Sequence, residues 1–383
     1  MENFKEEVAI TGVGLIGPFG GSLNELWSLH NNKDAWLPFS NRYKNGLPAF
    51  EAVLPNLRKI PGAGKLLRAP LISQYAVAAT HQAIIQSKMS LGRGQKANNI
   101  GLIFGTSNGP GASTQQIYDD LIDHGPSGVK PRVFQESVFN APASLVSIHF
   151  GLSGPIQVVA SGMSSGLAVL FQAQIMLAQP NIRAVIAICS DELCEAIQSA
   201  LYRLKWHIGR TNGRDCSRAI MSEGAVALVL EKTSIAKKRD VKILAKLSGV
   251  GYANDAAPLA RLTEDGRGLV IAMQNCLRDA HASTQNIDMI LTGAATKKDS
   301  QMEEVALKTL FGTNIPQKNS VKTKIGFAMG ASAFFEIALA IAIIMYKNMG
   351  TSTLVKFTEV NSILCNSIGL NGQMGSALIQ GVS

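Results

Sequence analysis

The sequence predicts an α/β protein built in stacked layers, on three observations. Short, strongly apolar runs rich in β-branched residues alternate with longer helix-like segments along the whole chain. The alternation breaks once, at the polar and basic stretch Lys232–Lys242 (KTSIAKKRDVK), and then restarts. Of the 383 residues, 46% are hydrophobic and 16% charged, which supports strands buried on both faces and rules out a disordered chain. Two halves of similar alternation, 1–236 and 237–383, suggest an internal duplication, although no sequence repeat is visible.

The elements follow from local pattern. Val8–Thr11 is a short apolar strand punctuated by Gly12, Gly14 and Gly17. Ser22 offers an N-cap for a helix over Ser22–Leu29. Leu71–Ser87 is Ala-rich and follows Pro70, which suits a helix start because its missing N–H needs no partner there. Ile100–Gly105 reads as a buried strand, followed by a Gly-rich loop to Gly111 and a helix over Ser113–Asp123. Strands are expected at Ile156–Ala160, Ala184–Cys189 and Ala225–Glu231, with an apolar helix over Ser164–Leu177. Past the connector come strand Ile243–Tyr252, helix Gly268–Ala282, strand Met289–Thr292, helices Glu303–Leu310 and Gly330–Met345, and strand Ser376–Gln380.

Composition narrows the function. The most apolar stretch, Ala331–Tyr346, carries Glu336 and falls short of the roughly 20 residues a membrane span needs. The start, MENFKEEVAI, is acidic and then strand-like, unlike a secretory signal. Five cysteines (Cys189, Cys194, Cys216, Cys276, Cys365) lack C-x-x-C spacing and read as reduced thiols of a cytoplasmic protein, neither a disulfide framework nor a metal site. The net charge of +9 is scattered, and aromatics are 6%, so a nucleic-acid stripe is not expected; an acidic protein partner fits the charge better.

Two short motifs compete for attention. Gly12-Val-Gly14-Leu-Ile-Gly17 matches G-x-G-x-x-G, but Pro18, Phe19, Gly20 and Gly21 follow where the dinucleotide motif requires a helix to begin, so no cofactor is expected. Gly162-Met-Ser164-Ser-Gly166 matches G-x-S-x-G between a strand and a helix, the context of a nucleophile elbow. A serine hydrolase built on Ser164 needs a late histidine, and only His207 and His281 lie downstream.

A set of blocks carries more. They are VAITGVGLIGP (Val8–Pro18), NAPAS (Asn140–Ser144), FGLSGP (Phe150–Pro155), SGMSSG (Ser161–Gly166) and SEGA (Ser222–Ala225). KTKIG (Lys322–Gly326) follows, continuing to Gly330-Ala331 and Glu336, and then NSIGLNG (Asn366–Gly372). In this order they resemble the β-ketoacyl-acyl-carrier-protein synthases, condensing enzymes of the thiolase fold. The resemblance implies a duplicated α-β-α-β-α layering. It also implies a cysteine nucleophile at the elbow and two histidines that support decarboxylation and hold the enolate oxygen.

Each of those three positions is altered here. The elbow cysteine corresponds to Met163, whose thioether cannot form a thioester. The His-Gly-Thr-x-Thr loop corresponds to Thr292-Gly-Ala-Ala-Thr296, and the Lys-x-x-x-Gly-His histidine to Phe327. Met163 and Phe327 are expected to plug the former site with apolar volume, while Lys322 and Glu336 persist as a buried structural pair.

A ketosynthase stripped of its catalytic groups resembles the chain-length factor of type II polyketide synthases. That resemblance implies a heterodimer with an active ketosynthase, paired through Ile156–Ala160, and contact with an acidic acyl carrier protein bearing the growing chain of an aromatic or polyene product. It also implies a tunnel closed by this subunit. Thr114, Ile117 and Tyr118, at i, i+3 and i+4 on one helix face, are the candidate tunnel and interface residues. Leu370 replaces a phenylalanine gate of active members. The commonest pattern in such subunits has glutamine at the elbow; Met163 cannot donate a hydrogen bond, so a priming decarboxylase role is not implied. The alternatives are the Ser164 hydrolase, a degenerate fatty-acid-type synthase, and an active ketosynthase using one of the five cysteines.

Overall fold

Five strands of the first half, β1 (Val8–Ile16), β2 (Ile100–Gly105), β3 (Ile156–Val159), β4 (Ala184–Asp191) and β5 (Gly224–Lys232), lie side by side in the order β3-β2-β4-β5-β1. The computed structural model describes residues 6–32, 34–40, 42–43, 46–91, 96–206, 219–256, 262–346 and 360–382. In the second half, β6 (Ala245–Asn254), β7 (Met289–Leu291), β8 (Gln317–Asn319), β9 (Ser362–Ile368) and β10 (Gln373–Gln380) lie in the order β8-β7-β9-β10-β6. Each half therefore reads third, second, fourth, fifth, first. Strand directions repeat as well: second against third and fourth is parallel, fifth against fourth and first antiparallel. The halves join where β1 pairs antiparallel with β6, Val8 opposite Leu247 and Ile10 opposite Ala245. The duplication absent from the residue pattern is plain in the topology.

The twelve α-helices among the described residues include α1 (Leu23–Asn31), α2 (Leu71–Gln86), α3 (Gly111–His124), α4 (Ala141–Phe150), α5 (Ser165–Leu177), α6 (Arg267–Asp279), α7 (Lys297–Phe311) and α8 (Ser332–Tyr346). Alternate residues of each strand serve different cores. Leu102, Phe104, Ile186 and Ile188 face α2 and α4 on one outside. Ile290, Leu364 and Leu378 face α6 and α7 on the other. The remaining strand faces of both halves, with Ile103, Val185, Leu228, Leu291 and Ile363, close on α5 and α8 in the middle. The layering is α-β-α-β-α, the thiolase-like ketosynthase fold. Burial on both faces explains the near-continuous apolar runs.

Several elements differ from expectation. The first strand does not stop at Thr11 but runs to Ile16. Its glycines serve packing: a Cβ on Gly12 would stand 2.2 Å from the Ala83 carbonyl oxygen, and one on Gly14 2.0 Å from that of Ala79. Helix α2 thus lies directly on β1, and its Gln82 and Gln86 side chains accept from the Leu15 and Val13 N–H groups at 2.9 and 2.7 Å. Within the expected connector, Lys232 closes β5 and a helix spans Thr233–Lys238. Helix α7 starts at Lys297 because Thr296 and Asp299 form a capping box. Strand β9 escaped notice because Asn366 and Ser367 interrupt its apolar pattern, although every residue in it is buried. The helical stretch Met329–Tyr346 is, at 18 residues, long and apolar enough to cross a membrane, contrary to expectation; yet 89% of it is buried inside the protein, as a central-layer helix must be.

Gly14→Ala is expected to force β1 and α2 apart and cost about 1–3 kcal/mol, as overpacking does. Gly64→Ala, where an added Cβ meets nothing within 4 Å, is the control. Urea unfolding midpoints should fall for the first variant and hold for the second.

Candidate functional site

Each half of the duplication carries an elbow, a short 3-10 turn leading into its central helix. In the first half the turn is Gly162–Ser164, entered through Gly162 at φ 57°, and it leads into α5. In the second it is Met329–Ala331, entered through Met329 at φ 51°, and it leads into α8. The left-handed backbone suits glycine and is strained for methionine. The two elbows touch. A Cβ on Gly166 would stand 3.0 Å from the Ala333 Cβ and 3.3 Å from the Gly330 carbonyl oxygen; one on Gly330 would stand 3.2 Å from that of Gly162.

The space in front of the elbows is filled with apolar side chains. Met163, Phe327 and Met329 pack with Ala49, Leu193, Trp206 and Met221 in one cluster, and Leu370 and Ala295 border it. The Trp206 ring meets Phe327 edge-on, centroids 4.8 Å apart at 72°. Met163 and Phe327 are therefore brought together as expected, and both are buried. Trp206, Met221 and Met329 were not anticipated; they lie far apart in the chain and no local pattern marks them.

Behind this plug stands an intact polar frame. Lys322 Nζ donates to Glu336 Oε1 at 2.8 Å, with side chains 8% and 0% exposed, and also to the Thr292 carbonyl. Glu336 further accepts from the Ser320 hydroxyl at 2.6 Å and the Val321 N–H at 3.2 Å. Glu303 accepts from the Gly293 and Ala294 N–H groups and from the Asn366 amide, each at 3.0 Å. Burial raises its pKa, against those donors and Lys322. Thr292, half-buried, follows β7 and meets the site through its backbone: its carbonyl accepts from Lys322 and its N–H donates to the Asn319 carbonyl at 2.9 Å.

Other candidates are placed elsewhere. Ser164 is buried, and its hydroxyl donates to the Gln373 carbonyl at 2.8 Å, a group that cannot take its proton as a base, so this hydrogen bond gives the hydrolase alternative no support. His207 and Cys216 lie outside the described residues. Cys189, Cys194, Cys276 and Cys365 are buried, and burial pushes the Cys189, Cys194 and Cys365 thiols up, away from thiolate chemistry. Among the described residues no three His, Cys, Asp or Glu side chains group as metal ligands would. Thr114 and Ile117 are half-buried on α3, and Tyr118 is 61% exposed.

Losing Lys322 would strand Glu336 as an unpaired buried charge. Lys322→Met is expected to cost about 3–5 kcal/mol, and Lys322→Met with Glu336→Leu much less, by denaturant unfolding.

Comparison with known proteins agrees with this geometry. The β-ketoacyl synthase N-terminal domain matches residues 65–236, and the β-ketoacyl synthase C-terminal domain matches residues 244–354. The chain is 24% identical to 3-oxoacyl-[acyl-carrier-protein] synthase 2 of Coxiella burnetii, over 99% of both chains. It is 28% identical to nodulation protein E of Rhizobium meliloti over 88% of this chain and 86% of that one. Among solved structures, the ishigamide ketosynthase/chain length factor superposes with a TM-score of 0.86 at 18% identity, covering 99% of this chain and 100% of that one. A ketosynthase in complex with its chain length factor from Xenorhabdus doucetiae gives 0.78 at 19%, covering 100% of both. With both domains matched in order, on a doubled five-stranded core with paired elbows, the chain belongs to the β-ketoacyl synthase family.

Proposed function

We propose that this protein is the non-catalytic, chain-length-determining subunit of a type II polyketide synthase, working beside an active ketosynthase. One observation carries the reading. At the elbow apex, where acyl transfer requires an ionisable thiol, stands Met163, packed against Phe327 where an imidazole would have to carry a proton. Among the described residues, the apolar plug offers no thiol to acylate and no imidazole to hold an enolate oxygen. What the fold retains is its scaffold.

The surface favours a partner. Strand β3 ends the sheet with an unpaired edge, and its Ile156 is 43% exposed. Ile148 on α4 and Phe171 and Ile175 on α5 are exposed as well. An apolar edge strand left open is a liability that a second chain relieves. Structural neighbours include a ketosynthase with its chain length factor and a type II polyketide synthase acyl-carrier protein in complex with its ketosynthase. On α3, Ile117 and Tyr118 stand one turn beyond Thr114, which suits a face that closes a tunnel shared with the partner. Several curated relatives are named 3-oxoacyl-[acyl-carrier-protein] synthase 2; the product made with the partner separates a polyketide from a fatty-acid system.

The isolated chain should take no acyl group from acyl-carrier protein, and Met163→Cys alone should not restore condensation, because Thr292 and Phe327 cannot polarise the thioester oxygen. Co-expression with its ketosynthase should give a stable one-to-one complex burying about 2,000 Å² or more. Turnover by the wild-type chain alone, or a monomer indifferent to the partner by light scattering, would sink the reading.

In the complex, Tyr118→Ala should lengthen the product by one or two two-carbon units, from a void of roughly one ring. Thr114→Trp should shorten it. Mass spectrometry of carrier-bound intermediates reads both. Unchanged lengths in an intact complex would remove α3 from the tunnel.

A further inference from the structure

Helices α2 and α3 share a defect. Each begins after a proline N-cap, Pro70 and Pro110, and neither cap donates a side-chain acceptor to the exposed N–H groups of the first turn. Such groups need a partner when buried. A third element supplies it. Glu192, just past β4 and 1% exposed, accepts from the Ile72 N–H at 3.0 Å through Oε2 and from the Ala112 N–H at 3.1 Å through Oε1. One carboxylate thus caps two helices at once.

Its neighbour Asp191 does the same for the loop between β2 and α3. It accepts from the Thr106 hydroxyl at 2.7 Å and from the Ser107 and Asn108 N–H groups at 2.9 and 3.2 Å. The Gly330 N–H of the second elbow also points to it. Thr106 passes the constraint on, accepting from the Gly109 N–H at 2.9 Å.

We infer that Glu192 is a positioning residue: by capping α2 and α3 together, it sets where Thr114, Ile117 and Tyr118 stand relative to the elbows. The consequence for product length rests on the reading that α3 lines the tunnel. Ionisation of Glu192 matters because only the carboxylate offers both oxygens as acceptors. A proton on one oxygen turns an acceptor into a donor and leaves one helix end without its partner.

The surroundings bring that proton within reach of neutral pH. Burial pushes Glu192 up to about 7, against the Ile72 and Ala112 N–H groups; Glu223 adds to the rise and Arg42 opposes it. Glu223 is itself engaged by Arg42, the Tyr75 hydroxyl and the Leu193 N–H. Asp191 is pushed up to about 7 by burial, and Cys194 and Glu195 lie beyond on the next helix. The sign is specific. The folded value exceeds the ordinary 4.5, so global stability from this group falls as pH rises from about 4.5 to about 7. The cap on α3 strengthens over the top of the same range. Opposite trends in one protein separate a local cap from a general charge effect.

Hydrogen exchange of the full chain at pH 6 and pH 8, corrected for intrinsic rates, tests this. In the wild type, at least one of the Ile72 and Ala112 amides should exchange about fivefold more slowly at pH 8, the size of a lost cap. Glu192→Gln keeps one acceptor only, so at least one of the two should exchange fast at both pH values, without the pH step. Equal protection in the variant, or no pH step in the wild type, overturns the inference. Should the variant not fold, the wild-type comparison still decides. Product length in the complex divides the remaining cases. A shift in both Glu192→Gln and Tyr118→Ala supports the positioning role. A shift in Tyr118→Ala alone overturns it and leaves the tunnel reading standing. Faster exchange with no length shift in either variant upholds the cap and removes α3 from the tunnel.

Discussion

The close approach of the two elbows is the constraint on which the rest of the structure depends. Helices α5 and α8 begin against one another, so close at Gly166 and Gly330 that an added Cβ would crowd the opposite elbow. That contact fixes the middle layer. It sets the spacing of the two sheets, each of which lays one face on these helices. It also gathers, at one end of the layer, the strand termini and turns from both halves that make up the site. A duplicated unit alone would present one elbow to solvent; two units packed head to head present a shared, walled space.

What fills that space follows from different costs. The polar frame is buried in two satisfied pairs, Lys322 with Glu336 and Glu303 with Asn366, so removing one member leaves its partner uncompensated. The reactive positions carry no such penalty. A thiol or imidazole facing an active-site space can give way to methionine or phenylalanine with a gain in apolar packing, provided the volume fits. Met163, Phe327 and Trp206 show that it does. The buried polar pairs of the fold can therefore persist while the side chains in front of them change.

The acids at the end of β4 belong to the same logic. Asp191 and Glu192 follow an uninterrupted apolar strand, and burial there is affordable only because each receives several N–H groups. They connect helix starts that cannot cap themselves to the elbows. Through these long-range contacts, the starts of α2 and α3 and the second elbow meet at two adjacent carboxylates.

Much of this was legible in the residues. Both-face burial makes parallel strands read as continuous apolar runs, so β2 and β4 stand out. The ordered blocks place Met163, Thr292 and Phe327 opposite a known catalytic pattern, and the loss of a thiol or imidazole is a statement about atoms that needs no coordinates. Strand ends and helix starts such as β1 and α7 were less legible, because packing of Gly14 on α2 and the Thr296 cap outweigh local propensity. Side-chain convergence lay beyond the linear pattern altogether. The G-x-S-x-G pattern around Ser164 gives no hint that its hydroxyl donates to the Gln373 carbonyl, on a strand more than two hundred residues on. The plug residues Trp206, Met221 and Met329, and the double cap by Glu192, join segments whose distance along the chain carries no signal. Period and residue chemistry are local quantities and are written in the chain; contact between remote side chains is a property of the packed layers, and only the folded molecule selects it.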